Sequence, residues 1–276
     1  MKNEGANNKI ALITGCSSGI GYDLADRLTK AGYTVVATAR QIESLEKLNA
    51  AMKLTLDVTD ELSINSALAE TMKAYGRLDI LVNNAGYGIG GSVEELPEKE
   101  LRSMFEVNFF GAVKLMRAVS PLMRERKTGT IVNISSIAGK LPTVGGGGYC
   151  ASKFALEGLS DAFRQELKPF GVRVILIEPG LIGTRFQWTM DRLSEEITGR
   201  PLSPYRSMYD QNHSMVTQAR KTEAKPGAVS AVVLKAVSAK NPKARYLVAV
   251  PLALKLLMRL GDGKRDRILE AVTGKR

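Results

Sequence analysis

Short, almost continuous apolar runs alternate along the chain with longer stretches in which apolar residues recur at helical spacing. The first run, residues 9–14 (KIALIT), precedes a stretch in which Ile20, Leu24 and Leu28 are four residues apart. Side chains at this spacing lie on one face of an α-helix, and Gly32 is a typical helix end. The pattern predicts a strand, a tight turn and a helix.

Six further apolar runs predict six more strands, and we expect a helix before the second, third and fourth strands. All the runs are nearly continuous Val, Ile and Leu, which is typical of strands buried on both faces of a parallel sheet. Right-handed crossovers then place helices on both faces and ligands at the carboxyl ends of the strands. The six runs are residues 33–39, 52–58, 78–84, 129–135, 172–178 and 244–250.

This order predicts the fold class: an α/β protein with a doubly wound, Rossmann-like parallel sheet of about seven strands and helices on both faces. With 276 residues and 44% apolar residues, the chain fits a single domain over residues 1–276. Residues 181–226 break the rhythm, since they mix aromatic residues and methionines with prolines and polar residues. A long irregular segment inside a compact domain is usually functional.

A carboxyl-terminal extension at 251–276 carries seven basic and three acidic residues, with five leucines near its start. It is too short and too charged to span a bilayer. It could lie on a membrane surface, but we favour a helix that closes a ligand cleft or packs against another subunit.

Charge and cysteine content narrow the function classes. The net charge of +11 could attract nucleic acid, anionic lipid or an acidic small molecule, but no zinc-finger spacing, RNA-binding aromatic motif or long basic run accompanies it. We therefore expect no nucleic-acid partner.

Cys16 and Cys150 are too few for a disulfide framework, and the start lacks the apolar core of a secretory signal, so we expect a cytoplasmic protein. The single histidine, His213, has no companions, and we expect no metal site.

The first strand is followed by TGCSSGIG, residues 14–21. Gly15, Gly19 and Gly21 permit positive φ angles and a close backbone approach, so a pyrophosphate can lie on the N-terminus of the next helix. A glycine set alone could be only a tight turn. Its position between a strand and a helix, at the start of a series of βα units, favours dinucleotide binding.

A tyrosine and a lysine four residues apart, Tyr149 and Lys153, occur in the segment YCASK. On a helix the ammonium would favour ionisation of the phenol, which could then exchange a proton near neutrality. The spacing alone arises by chance in many helices, so this interpretation depends on the other motifs.

Together these segments resemble the short-chain dehydrogenase/reductase family of the Tyr-x-x-x-Lys type, and most closely its hydroxysteroid and retinol dehydrogenase-like members. The resemblance covers about residues 9–184. The matching segments, in order, are TGCSSGIG, NNAG at 83–86, FEVNFFG around Asn108, ISS at 134–136, YCASK, and EPGLIGT at 178–184.

The resemblance implies roles for four side chains. Tyr149 would be the acid/base that gives a proton to a carbonyl oxygen, and Lys153 would hold the nicotinamide ribose and lower the tyrosine pKa. Ser136, preferred to Ser135 because it lies 13 residues before the tyrosine, would hydrogen-bond the substrate oxygen. Asn108 would bind a water that links the lysine to solvent. Alternatively, Ser136 caps a strand end, Asn108 satisfies buried backbone and Lys153 is solvated.

The resemblance also implies a nicotinamide cofactor. Asp57 and Val58 would contact its adenine, or would only end the third strand. Residues 145–148, four glycines before the tyrosine, depart from the family and put the substrate geometry in question, because they could leave the cleft roomy or the loop mobile. The implied cofactor-binding residues are Gly15, Ser17, Ser18, Gly19, Ile20, Gly21, Arg40, Asp57, Val58, Asn84, Ala85, Gly86, Tyr149, Lys153, Pro179, Gly180 and Thr184.

The end of the second strand favours NADP(H) over NAD(H). NAD-specific folds carry an acidic residue about 20 residues past the glycine motif, where it binds the ribose 2′-hydroxyl. Here the sequence reads TARQ, with no acid before Glu43, and Arg40 can meet a 2′-phosphate with its guanidinium. Ser17 could donate a second hydrogen bond. The alternative is that Arg40 is only a solvated charge.

The sequence thus predicts an oxidoreductase that moves a hydride between NADP(H) and a carbonyl or secondary alcohol. The aromatic residues and methionines between 186 and 215 resemble part of a substrate lid at about 181–226. Such a lid implies a bulky apolar substrate, steroid-, retinoid- or lipid-like, although these side chains could instead only pack a long loop. A 3-oxoacyl thioester reductase and a non-catalytic NADP(H)-binding sensor or scaffold remain the alternatives. The family implies a homodimer or homotetramer.

Overall fold

The computed structural model describes residues 8–273, in which seven parallel strands form one sheet. The strands are β1 (Ile10–Ile13), β2 (Thr34–Ala39), β3 (Met52–Thr55), β4 (Ile80–Asn83), β5 (Gly129–Ile134), β6 (Val172–Pro179) and β7 (Arg245–Val248). Their order across the sheet is β3-β2-β1-β4-β5-β6-β7. The chain starts in the middle, winds outward to β3, returns to β4 and continues to β7. This topology confirms the predicted doubly wound, Rossmann-like fold.

Helices cover both faces of the sheet, and a π-helical turn over Glu106–Phe110 joins two of them. The α-helices of the described residues, including those away from the sheet, are α1 (Gly19–Lys30), α2 (Glu61–Tyr75), α3 (Glu98–Phe105), α4 (Gly111–Glu125), α5 (Gly147–Leu167), α6 (Arg185–Thr198), α7 (Arg206–Arg220), α8 (Pro226–Ser238), α9 (Leu252–Leu257) and α10 (Asp262–Thr273).

The core lies in two layers, one on each face of the sheet. Successive residues of β1 alternate between them: Ala11 and Ile13 join the layer packed by α1 and α8, whereas Ile10 and Leu12 join the layer packed by α2 and α4. Each buried side chain of Leu or Ile size contributes roughly 1.5–3 kcal/mol. Burial on both faces explains why the strands are nearly continuous apolar runs.

Two local expectations from the sequence are wrong. The connection between β2 and β3 contains only a 3₁₀ turn (Ile42–Leu45) instead of a helix, because Leu45 and Leu48 reach the core at a spacing of three. Residues 181–226 are not irregular but contain α6 and α7. These two helices cover a cleft rather than the sheet. In α6 the apolar residues do recur at helical spacing, at Phe186, Met190, Leu193 and Ile197, but prolines and polar residues flank them, so the segment reads as irregular in the sequence.

The carboxyl-terminal extension forms α9 and α10 as far as residue 273. Leu254 and Leu269 line the cleft described below, whereas Leu252 and Leu256 are exposed. Within residues 8–273, no helix has both the length and the apolar character needed to cross a membrane. In the same residues, no group of three or more His, Cys, Asp or Glu side chains is arranged to hold a metal ion.

Candidate active site

The turn between β1 and α1 has the backbone geometry that its glycines predict. Gly15 and Gly19 have φ angles of 72° and 60°, in the left-handed region that disfavours a Cβ. A Cβ on Gly21 would lie 2.4 Å from the Gly15 carbonyl oxygen, which leaves no room for a side chain. Ser18 precedes α1 without a capping hydrogen bond from its side chain, so N–H groups of the first turn remain available to an anion.

Asn84 fastens this turn to the end of β4. Its side-chain amide donates to the carbonyl oxygens of Thr14 at 2.8 Å and Gly15 at 3.1 Å. In return, the Thr14 hydroxyl accepts from the backbone N–H groups of Asn84 and Ala85 at 2.9 and 3.0 Å. The NNAG segment therefore holds the glycine turn in a fixed shape, and the turn can receive a pyrophosphate without rearranging.

Arg40 lies beyond the end of β2 and is exposed. Its guanidinium has no hydrogen bond or ion pair with any other residue of the described chain. Arg40 lines the cleft that is described below, as does Tyr87. Asp57, by contrast, accepts from the Thr59 N–H and hydroxyl at 2.9 and 2.8 Å, so its carboxylate is committed to the turn after β3. Arg40 is thus an uncommitted cation that could receive a phosphate.

The end of β5 and the start of α5 bring Ser136 and Tyr149 together. The Ser136 hydroxyl accepts from the Ala138 N–H at 3.1 Å, which orients it, whereas Ser135 is buried. Burial raises the pKa of Tyr149 to about 12, and a hydrogen bond with Ser136 opposes this rise. The phenol is therefore neutral at physiological pH and holds a proton that it can donate.

Lys153 is only 5% exposed and lies one turn after the tyrosine. Its Nζ donates to the Ile134 carbonyl oxygen at 3.0 Å and is 5.8 Å from the centroid of the Tyr149 ring. Burial lowers the pKa of Lys153 to about 8, and the charge of Glu157 opposes this effect. The sequence predicts that Lys153 lowers the pKa of Tyr149, but here desolvation dominates and that pKa rises.

Asn108 is 2% exposed and lies in the π-helical turn between α3 and α4. Its Oδ1 accepts from the Tyr87 N–H at 3.0 Å, and its Nδ2 donates to the Tyr87 carbonyl oxygen at 2.8 Å and the Ser152 hydroxyl at 3.1 Å. The side chain thus satisfies buried backbone, as the alternative interpretation holds. A π turn is frequent at functional sites, and the water-relay role stays a prediction.

The helix α6 lies directly over the tyrosine. The Phe186 and Tyr149 rings have centroids 5.4 Å apart and an interplanar angle of 57°. A Cβ on Gly88 would lie 3.1 Å from the Met190 Sδ and 3.2 Å from the Phe186 Cζ. Apolar side chains from α6 therefore fill the space in front of the phenol.

We call residues 181–226 the lid, and polar contacts hold its α7 end to the loop over 88–96. The Tyr209 hydroxyl donates to Glu95 at 2.5 Å and accepts from the Ser92 N–H at 3.0 Å. The hydrogen bond from Tyr209 lowers the pKa of the Glu95 carboxyl. Asn212 adds a bond to the Val144 carbonyl oxygen at 2.9 Å. Ile182 and Ala224, near the two ends of the lid, pack in the core layer beside α1 and α8, whereas its α7 portion is held by a few polar side chains.

The glycines at 145–148 serve close packing. Gly145 has a φ of 72°, and its carbonyl oxygen accepts from the Gly91 N–H at 2.8 Å. A Cβ on Gly148 would lie 2.7 Å from the Leu96 side chain. The missing side chains let the loop over 88–96 approach the start of α5.

All these segments border one cleft of about 1920 Å³ at the carboxyl ends of the strands. Every predicted site residue lines this cleft except Gly21 and Asn108. Three residues were not predicted from the sequence: Tyr87, which lines the cleft, and Glu157 and Glu178, whose carboxylates are buried behind it. The signal for Glu157 was its position four residues after the lysine, but helical spacing alone cannot show what a side chain faces.

Comparison with known proteins assigns this architecture. The model of the short chain dehydrogenase family matches residues 9–194. The 3-ketodihydrosphingosine reductase of Bacteroides thetaiotaomicron is 38% identical over 240 residues, which cover 87% of each chain.

Solved structures agree with this assignment. A short-chain dehydrogenase from Streptomyces avermitilis superimposes with a TM-score of 0.78 at 33% identity, covering 97% of this chain and 95% of that one. An alcohol dehydrogenase from Thermococcus sibiricus, complexed with 5-hydroxy-NADP, gives 0.72 at 26% identity over 88% and 97% of the chains. A Burkholderia phymatum member in complex with NAD gives 0.78 at 24% identity over 95% of both, which supports the fold alone. Structural neighbours thus bind nicotinamide cofactors of both kinds.

Proposed function

This chain belongs to the short-chain dehydrogenase/reductase family, and from that premise we propose that it transfers a hydride between NADP(H) and a carbonyl or secondary alcohol of a bulky apolar, lipid-like molecule. The observation that carries the proposal is that Ser136, Tyr149 and Lys153 line the same cleft as the glycine turn after β1. A cofactor that spans these two places would present its nicotinamide to the tyrosine.

A nicotinamide cofactor bound here would supply the hydride for carbonyl reduction. The side chains of this chain hold and transfer the proton. Tyr149 is neutral and donates its phenolic proton to the carbonyl oxygen, while the Ser136 hydroxyl hydrogen-bonds that oxygen as negative charge develops. With a pKa of about 8, Lys153 is mostly charged at neutral pH. Its ammonium stabilises the phenolate that remains after proton transfer. In the alcohol-oxidising direction the same proton returns to Tyr149.

The preference for NADP(H) rests on Arg40. An acidic residue at the end of β2 would repel a 2′-phosphate, and this chain has an unpaired guanidinium there instead. Charge-assisted hydrogen bonds are worth roughly 1.5–3 kcal/mol, which corresponds to about a 10- to 150-fold preference. Salt weakens this preference because the arginine is exposed.

The apolar lid supports a lipid-like substrate. Phe186 and Met190 face the tyrosine, so a carbonyl that reaches Tyr149 must lie against apolar side chains. The relative from Bacteroides thetaiotaomicron carries a name that describes reduction of a long-chain ketone. A 3-ketolipid with a long alkyl chain therefore heads the list of substrates to test.

A spectrophotometric screen tests the function directly. Purified protein is assayed for NADPH and NADH oxidation with short ketones, steroid ketones, retinal, long-chain 3-ketolipids and carrier-linked 3-oxoacyl thioesters. We expect the highest kcat/KM with NADPH and a long apolar ketone. Turnover of carrier-linked thioesters alone would assign the protein as a 3-oxoacyl reductase. Cofactor binding without turnover of any carbonyl would indicate a sensor or scaffold.

A further inference from the structure

A cluster of charged side chains is buried behind the catalytic face of α5, and the chemistry described above does not use it. Glu157 lies on α5, Glu178 near the end of β6, and Arg245 at the start of β7. The two glutamate side chains are only 5% and 3% exposed. Buried carboxylates are costly unless each has a partner, so the contacts of this cluster decide its charge.

One nitrogen of Arg245 lies close to both carboxylates. Arg245 Nε lies 3.1 Å from Glu157 Oε2 and also 3.1 Å from Glu178 Oε1, but the hydrogen bond goes to Glu157. The other end of this guanidinium is hydrogen-bonded to Asp161, so it cannot neutralise a third charge. Lys140 adds a cation 3.9 Å from Glu157, and it is 38% exposed. Asp161 also pairs with Arg164 at 3.1 Å, so the two buried glutamates are left with Arg245, the partly exposed Lys140 and the charge of Lys153 as their cations.

Two carboxylate oxygens in this cluster have no hydrogen-bond partner, Glu157 Oε1 and Glu178 Oε1. Both carboxyl groups also lie 3.1 Å from the same arginine nitrogen, so they are neighbours in a buried site. Two ionised carboxylates cannot hydrogen-bond, because neither carries a donor, whereas one proton between them supplies the missing bond.

We propose that Glu157 and Glu178 share a single proton and that this contact joins α5 to the end of β6. The pair thereby positions Lys153, one turn away on α5, and the end of β6 at Pro179 with the adjoining Gly180, which line the cleft. Both glutamates are positioning residues, since neither touches the reacting atoms. The positioning part of this inference rests on the proposed function, whereas the shared proton does not.

The shared proton is held near neutral pH. Burial raises the pKa of Glu178 to about 7, with the charge of Glu157 adding to the rise and Lys140 and Arg245 opposing it. Loss of the proton places two like charges on one guanidinium nitrogen. The contact then becomes repulsive and α5 is held less firmly against β6.

Stability as a function of pH tests the shared proton without any turnover. The pKa of Glu178 in the folded protein is above its ordinary value of 4.5, so the associated stability is present below that value and is lost as the pH rises to about 7. Glu178→Gln keeps a donor to Glu157 but cannot ionise. We therefore expect the Tm of wild-type protein to fall by about 5 °C more than that of Glu178→Gln between about pH 5 and pH 8.

A matched control is Glu166→Gln, which removes an exposed carboxylate from the same helix and should behave like wild type. Glu157→Gln removes the charge that adds to the rise in the Glu178 pKa and leaves Arg245 to Glu178, so the pH-dependent loss should be smaller than in wild type, with the part caused by burial remaining. Equal loss of Tm in wild type and Glu178→Gln would overturn the shared proton.

The affinity for NADPH, followed by its fluorescence, tests the positioning role. As the pH rises from about 6 to 8, the NADPH affinity of wild type and of Glu166→Gln should fall about threefold more than the NADPH affinity of Glu178→Gln. Glu178→Gln should keep only the weakening caused by deprotonation of Lys153. In Glu157→Gln that weakening should begin at lower pH, because the opposing charge near the lysine is gone. A stability difference without an affinity difference would show a structural role only and overturn the positioning.

Discussion

Two walls of the same cleft are built differently. One wall, which we call the α5 wall, consists of α5 and the end of β5. It holds its functional groups by hydrogen bonds to the backbone: Lys153 donates to a strand carbonyl oxygen and Ser136 accepts from a neighbouring N–H. The lid wall packs over the cleft with few buried residues and leaves Trp188 61% exposed and Leu202 96% exposed. Its attachment depends on a few polar contacts, such as that between Tyr209 and Glu95.

This difference separates chemistry from substrate choice. Groups fixed by the core keep their geometry to a fraction of an ångström, which proton transfer requires. Elements with few buried contacts can change shape at low cost, so they suit the recognition of a particular substrate. Substitutions in the α5 wall should therefore affect the rate for all substrates, and those in the lid should affect the ranking of substrates.

The largest effect is expected from Tyr149→Phe, which removes only the hydroxyl. General acid/base help is worth roughly 100- to 10,000-fold, so kcat should fall by that factor for every substrate while cofactor affinity stays nearly unchanged. Initial rates and a fluorescence titration with NADPH measure both. Tyr22→Phe, which loses an exposed hydroxyl that bonds to Lys47, is the control. More than about a tenth of the wild-type rate in Tyr149→Phe would remove the acid/base role.

An intermediate effect is expected at Arg40, which follows β2 and belongs to neither wall of the cleft. Arg40→Asp exchanges a phosphate-binding cation for an anion that repels the 2′-phosphate. The ratio of kcat/KM for NADPH to that for NADH should fall at least about tenfold, mostly through KM. Arg192→Asp gives the same charge change on the lid and should leave the ratio alone. Equal use of both cofactors by the wild type would show that Arg40 does not discriminate.

The smallest effect, and the sharpest test of the lid, is expected from Met190→Ser. Met190 contacts the region in front of the tyrosine, whereas Trp188 on the same helix is largely exposed and stacks with Arg192. Loss of an apolar contact of this size costs roughly 1–2 kcal/mol, so KM should rise several-fold for long-chain ketones and little for short ones. Trp188→Ser should change KM less. Equal changes for long and short substrates would indicate that the lid only packs against itself.

Much of the fold followed from local pattern. Apolar runs predicted every strand. In the five inner strands burial on both faces of the parallel sheet requires such runs, whereas the edge strands β3 and β7 each have a single buried residue. The glycine turn was also predictable, since a positive φ at Gly15 and Gly19 and the close approach at Gly21 select glycine whatever surrounds them. The spacing of Tyr149 and Lys153 placed both on one helix face.

The helices of the lid were not predicted, although apolar residues recur at helical spacing in α6, because prolines and polar residues interrupt the pattern of the segment. The direction in which the Tyr149 pKa shifts could not be predicted either, because it depends on how many atoms from α6 shield the phenol from water. The same holds for Glu157 and Glu178, which are 21 residues apart in the chain. Only the packing of α5 against β6 brings these two carboxyl groups onto one arginine, and only burial makes a shared proton favourable there.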